Sequence, residues 1–189
     1  VLGGAECAYQ RAVSLKPQDA LLHFWYAEVL LHQGRMEEAL AEGQRAAEME
    51  PVSPEINRLL TRLYAMTRRY DQAIAQGLRT VELHPHYGAG YLNLGLAYVY
   101  SARYEEAIQT LQTATALTGG DPLYDLCLSL AYAGSGRQAE ASDLLAVLEG
   151  KGYSPLYLSV GYAALGDSER AFELLEIAYR ERESILVQL

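Results

Sequence analysis

The sequence predicts an all-α protein, a right-handed α-α superhelix (solenoid) of about five helix pairs preceded by one N-terminal half-repeat. Three observations carry that reading. Pro17, Pro51 and Pro85 stand 34 residues apart, each just after an apolar-patterned segment. Ala5, Ala39, Ala73, Ala107 and Ala141 keep the same step, and Ala171 follows after 30. Two further ladders, Tyr64, Tyr98, Tyr132, Tyr162 and Leu60, Leu94, Leu128, Leu158, share both the phase and the final shortening. A fixed period of roughly 20–50 residues is the mark of a repeat architecture, in which one unit cannot bury its own apolar face and neighbours must stack.

The elements follow in order, and the whole of 1–189 reads as a single array. Residues 1–17 read as the second helix of a pair whose first helix is missing. Pro17 stops that helix, because the residue before a proline avoids the α region. Five pairs are expected at 20–51, 54–85, 88–119, 122–151 and 152–183. Their helices fall near 20–33, 36–50, 54–67, 70–84, 88–101, 104–117, 122–134, 138–150, 154–165 and 168–182. Gly119-Gly120-Asp121-Pro122 replaces the proline turn by a glycine-rich one. Residues 184–189 are expected to begin a further helix or cap.

Small residues mark where helices must come close. Ala27, Gly95, Ser129 and Ser159 serve this in the first helices, and the alanine ladder does so in the second. Gly43 and Gly77 fall inside second helices, where glycine costs about 1 kcal/mol relative to alanine. They read as close-contact points. Glu37-Glu38 and Glu105-Glu106 open second helices, at the end where the helix dipole favours a carboxylate.

Leu94-Gly95-Leu96-Ala97-Tyr98 followed by Arg103-Tyr104-Glu105-Glu106-Ala107 resembles the tetratricopeptide repeat (TPR). Gly34-Arg35-Met36-Glu37-Glu38-Ala39 and Arg69-Tyr70-Asp71-Gln72-Ala73 do so as well. Where the family places an aromatic early in the first helix, this sequence has His23 and then Asn57. Thr61 stands where the small residue is usual. The resemblance implies a protein-protein interaction module, its concave groove lined by the first helix of each pair and holding a peptide or helix.

The last unit, from Gly152-Tyr153-Ser154-Pro155 through Tyr179-Arg180-Glu181-Arg182-Glu183, is similar to the closing repeats of bacterial multidomain signalling proteins. There such arrays follow a winged-helix DNA-binding domain, a kinase or a cyclase. This likeness implies a regulatory or sensory arm acting through ligand sensing or self-association, with a homodimer among its forms. A third alternative is the substrate-binding arm of an enzyme such as a glycosyltransferase.

Composition narrows the partners. Half the residues are hydrophobic, and the formal net charge of -9 argues against general affinity for nucleic acid or an anionic membrane. No stretch approaches the 18 or so apolar residues of a membrane span. Cytoplasm is the default compartment. Cys7 and Cys127 form neither a disulfide framework nor a metal motif, and each reads as a small buried apolar residue. No catalytic residues, metal ligands or cofactor motif are found. His23 and His32 are nine apart, His84 and His86 flank Pro85 in a turn, and there is no glycine-rich phosphate loop. The chain is not read as an enzyme.

Counting along the period gives the groove residues. They are Leu21, Phe24, Trp25 and Glu28, then Arg58, Leu59, Arg62, Ala65 and Met66, then Leu92, Asn93, Leu96, Val99 and Tyr100. Leu123, Leu126, Cys127 and Leu130 follow, and last Leu156, Tyr157, Val160 and Ala163. Trp25, Arg58, Arg62, Asn93 and Tyr100 are the expected peptide contacts. The 54–85 unit is locally basic, with five arginines against three acids. Arg58 and Arg62, four apart, share a helix face and repel unless an anion lies between them. That anion is either Glu28 of the neighbouring helix or a ligand carboxylate held by charge-assisted hydrogen bonds, with Asn93 assisting. The arrangement resembles part of the carboxylate clamp of chaperone-binding TPR proteins. Leu123 and Cys127 stand where that clamp has basic residues, so the likeness is partial.

Overall fold

The computed structural model of the chain describes residues 2–180, with side chains from residue 6 onward. Eleven helices and no strand occur among the described residues. They are α1 (Leu2–Leu15), α2 (Ala20–His32), α3 (Met36–Met49), α4 (Pro54–Met66), α5 (Tyr70–Leu83) and α6 (Gly88–Tyr100), then α7 (Tyr104–Thr118), α8 (Pro122–Gly134), α9 (Gln138–Gly150), α10 (Pro155–Ala164) and α11 (Ser168–Arg180). The expected helix or cap at 184–189 lies outside the described residues.

The chain forms two compact units, Val1–Ser101 and Ala102–Leu189. In the first, α2 packs on α3, α4 on α5, and α5 on α6, with α1 against α2 and α4 against α6. In the second, α8 packs on α7 and α9, and α10 on α11, α8 and α9. This is the helix-pair repeat fold read from the ladders.

The ladder residues are the core. Ala39, Ala73, Ala107 and Ala141 are fully buried and Ala171 nearly so, as are Leu60, Leu94, Leu128 and Leu158. Both inner glycines sit at helix crossings. A Cβ on Gly43 would come within 2.8 Å of Leu63 Cδ1, and one on Gly77 within 3.3 Å of the Leu94 Cα itself. Close helix approach at these points offsets the poor helix propensity of glycine. The tyrosine ladder adds a polar tie. Gln44 Nε2 donates to the Tyr64 hydroxyl at 3.1 Å, and Gln112 Nε2 to that of Tyr132 at 3.1 Å.

The turn inside each pair has its own ladder. Gly34, Arg68, Ala102, Gly136 and Gly166 all have positive φ, between 58° and 83°. In the first turn the Arg35 N–H reaches the Leu30 carbonyl and the Gly34 N–H the Leu31 carbonyl. The same two bonds recur from Arg69 and Arg68, from Arg137 and Gly136, and from Asp167 and Gly166. This pattern satisfies the last carbonyls of the helix and requires one left-handed residue. The next residue is Arg35, Arg69, Arg103 or Arg137. Three of these four hold the acid one turn on, Glu38, Glu106 and Glu140, while Arg69 pairs with Glu37.

The two positions that depart from the family aromatic prove to be strapped. His23 is 2% exposed, with Nδ1 2.5 Å from Glu42 Oε2 and Nε2 3.1 Å from the Pro17 carbonyl oxygen. One repeat later Asn57 Nδ2 donates to the Pro51 carbonyl at 3.0 Å, and Gln76 Nε2 donates to Asn57 Oδ1 at 2.8 Å. All three partners are displaced by one period. Each strap ties the inter-repeat turn, the first helix and the second helix together and gives the buried His23 and Asn57 side chains their hydrogen-bond partners.

One expectation about the cysteines is corrected. Cys127 is buried, and burial pushes its thiol up to about 12. Cys7 is exposed. It sits on α1, which packs against α2.

Candidate functional site

The expected groove residues of the first unit lie on α2, α4 and α6. At about 100° per residue, Leu21, Trp25 and Glu28 share one face of α2, and Arg58, Arg62 and Met66 one face of α4. Exposure supports that assignment. Leu21 and Met66 are exposed, Trp25 is 47% exposed and Tyr100 52%. Trp25 is anchored edge-on against buried Phe24, with ring centroids 5.0 Å apart, an arrangement that aromatic quadrupoles favour. A large apolar side chain is thus held in a defined position yet left in water.

The two arginines differ. Arg62 Nη2 donates to Glu28 Oε2 at 2.5 Å, bridging α4 and α2, while its buried Nε has no partner. Arg58 is half-buried and, among the described residues, has neither an ion pair nor a hydrogen bond. The anion expected between them is therefore supplied for Arg62 by Glu28, and Arg58 remains available.

Other expected groove residues are packed away. Asn93 is only 6% exposed and its amide donates to the Ala89 carbonyl at 2.9 Å, so it braces α6 instead of facing a ligand. Phe24, Leu59, Ala65, Leu92, Leu126 and Cys127 are also buried. The periodic count placed them one position inside the boundary of the exposed stripe, where neighbouring helices close over them. In the second unit Leu123 and Val160 are exposed, and Tyr153 stacks on Tyr157 at 5.7 Å.

Two features were missed from sequence. The arginine that follows each left-handed turn residue repeats every 34 residues through Arg137, so its ladder was visible beside the alanines. The straps at His23 and Asn57 were visible only as a shared spacing of 19 residues to Glu42 and Gln76. No helix among the described residues is long and apolar enough to cross a membrane. None of their His, Cys, Asp and Glu side chains group in a way that could hold a metal ion.

Comparison with known proteins fits this geometry. The tetratricopeptide repeat family model matches residues 3–54 and 92–155, more than half of the chain. No curated protein matches it. Among solved structures, a TPR protein of Parabacteroides merdae superposes with a TM-score of 0.82 at 16% identity, covering 99% of this chain and 75% of that one. A thermophilic TPR protein of Thermus thermophilus gives 0.76 at 23% identity, covering 86% and 91%. YrrB, described as a TPR protein with an unusual peptide-binding site, gives 0.59 at 23% identity, covering 89% of each chain. With its helix-pair ladder, its left-handed turns and this family match, the chain belongs to the tetratricopeptide repeat family, whose helix pairs are scaffolds for protein-protein interaction.

Proposed function

We propose that the α2–α4–α6 face of the first unit holds a peptide or an amphipathic helix bearing a carboxylate. Arg58 takes the carboxylate, while Trp25, Met66 and Tyr100 take its apolar side chains. Arg62 frames the site through Glu28, and Asn93 supports it from beneath. The observation that carries this reading is Arg58, a half-buried guanidinium with no carboxylate among the described residues, on the same helix face as exposed Met66. An unpaired cation bordering apolar surface suits a ligand that is acidic on one side and apolar on the other. The peptide-binding description of YrrB, a structural neighbour, is consistent with it.

Trp25 is the only tryptophan, so its fluorescence reports on this face alone. The test is capture of partners from the source lysate with wild type and with Arg58→Glu/Arg62→Glu, followed by titration of the captured peptide against Trp25 emission. A peptide that shifts the emission of wild type and binds the variant at least tenfold more weakly supports the groove. Equal affinity with unchanged helicity excludes it.

A second reading, self-association of a regulatory arm, draws on α11. Phe172 and Tyr179, seven apart on that helix, are 69% and 78% exposed. Such a stripe is the kind of surface that partners cover.

A further inference from the structure

The first unit has another recess, a cleft of about 330 Å³ between α3 and α5 and lined by α4. Gln44 and Glu48 enter from α3, Asn57 and Tyr64 from α4, and Gln76 and Arg79 from α5. It is separate from the peptide face. On α4, Asn57 and Tyr64 fall on one side of the helix, while Arg58, Arg62 and Met66 turn away from it at about 100° per residue.

The uncharged lining is held in place before any ligand arrives. Gln44 is fixed by its bond to the Tyr64 hydroxyl, and Gln76 by its bond to Asn57, itself tied to the Pro51 carbonyl. Those bonds leave the two glutamine carbonyl oxygens free to accept and the Tyr64 O–H free to donate. Glu48 and Arg79 are different again. They stand on opposite walls, and neither makes an ion pair or hydrogen bond with the other or with any described residue. Two opposite charges thus face one cleft without neutralising each other.

The pair of charges is particular to this place: Arg45 stands for Arg79 one period earlier and Glu82 for Glu48 one period later, but Ser14 and Thr113 stand where the opposite charge would be. Two periods later, Gln112 and Tyr132 keep the amide–phenol bond, but Ala116 stands for Glu48, Leu144 for Gln76 and Val147 for Arg79. The repeat fold itself therefore does not call for Glu48 and Arg79.

We propose that this cleft binds a small zwitterion of the amino-acid or dipeptide class, Arg79 taking its carboxylate and Glu48 its ammonium group. A simple anion is opposed by Glu48 and a simple cation by Arg79. An apolar ligand leaves the fixed amides and the phenol unsatisfied, which is costly. A zwitterion meets both charges, and a dipeptide's amide meets a glutamine carbonyl and the Tyr64 hydroxyl. The volume lies at the small end of the range of ligand pockets, roughly 300–1,000 Å³.

The test is amide chemical-shift titration of the full chain with L-alanyl-L-alanine, its N-acetylated form and its C-terminal amide, on wild type and Arg79→Gln. The titration extends to roughly 10 mM, past the millimolar constants expected of a few polar contacts. The expected result is saturable shifts confined to α3, α4 and α5 around the cleft, with affinity lowered about tenfold or more by blocking either end. Arg79→Gln should bind the free dipeptide and its C-terminal amide equally weakly, since the carboxylate has lost its partner. Arg79 is exposed, so the variant is expected to keep the wild-type spectrum elsewhere. Absence of saturation, shifts centred on Trp25 and Arg58, or indifference to blocking both ends overturns the proposal.

Discussion

Arg68 occupies, with φ of 60°, a turn position that is glycine in three of the other four pairs. A side chain there brings Cβ against the following carbonyl, at a cost of about 1–2 kcal/mol. Arg68 is exposed and its side chain has no partner among the described residues, so nothing at its tip repays that cost. Glycine relieves it, less the roughly 0.5–1 kcal/mol by which glycine favours the unfolded chain. Arg68→Gly is therefore expected to raise stability by up to about 1 kcal/mol, seen as a higher urea midpoint with an unchanged slope. Lower stability would mean that the arginine makes a favourable contact that outweighs the strain.

At the scale of elements, the buried straps join a turn and two helices at single points. His23→Ala leaves Glu42, 8% exposed, without the ring that faces it. Glu42 keeps its bond to Arg45, so the loss is that of a buried hydrogen-bond partner, about 1–3 kcal/mol. The double replacement His23→Asn/Glu42→Gln copies the Asn57–Gln76 strap into the preceding repeat, and it is expected to recover most of the loss in thermal unfolding. If the double variant is no better than the single, the two straps are not interchangeable.

The last three described helices are joined in a related way. The Tyr162 hydroxyl donates to Glu149 at 2.8 Å, and Arg170 pairs with the other carboxylate oxygen, linking α9, α10 and α11. The Tyr162 bond first, and Arg170 second, hold the Glu149 carboxyl below the usual carboxylate range. A depressed folded value stabilises the protein fully above the unfolded pKa of about 4.3 and ceases to do so as pH falls through the folded value. Wild type should thus exceed Glu149→Gln by ~1 kcal/mol or less near neutrality, since solvent screens the pair. The gap should close in acid. A gap independent of pH would assign the effect to packing.

At the scale of the whole molecule, the chain carries a net charge of -9, while its second helix pair is locally basic. Most of that pair's arginines lie elsewhere than the groove: Arg69 is spent on Glu37, and Arg79 faces the α3–α5 cleft. The proposed peptide face is thus one small cationic point on an acidic protein. Affinity measured through Trp25 is expected to fall as salt is raised, because screening acts over about 10 Å at 0.1 M. The same salt series on Arg58→Glu/Arg62→Glu should be flat or reversed. A salt-independent wild type would leave the apolar side chains alone responsible for binding.

How much of this was legible depends on what each feature requires. A period of 34 with alanine, leucine and tyrosine ladders sets helix pairs, because small residues at crossings and leucines between them are needed wherever the chain lies. Helices α2 to α10 accordingly end within a residue or two of their expected bounds. Gly77 against Leu94 follows from the same logic, as does the burial of Ala27 and Ser129.

Partnership between side chains was decided only by the tertiary structure. From sequence, Arg58 and Arg62 were equivalent cations four residues apart, and only the distance from Glu28 makes one paired and the other free. Asn93 looked like a groove residue until the packing of α6 buried it and gave its amide to Ala89. His23 and Asn57 looked like defects in the repeat until Glu42 and Gln76 were seen one helix away. Local spacing determines which face a residue shares, because helix geometry is fixed by the backbone. Which charge is neutralised and which is left to a ligand depends on neighbours brought together by stacking, and no single helix encodes that.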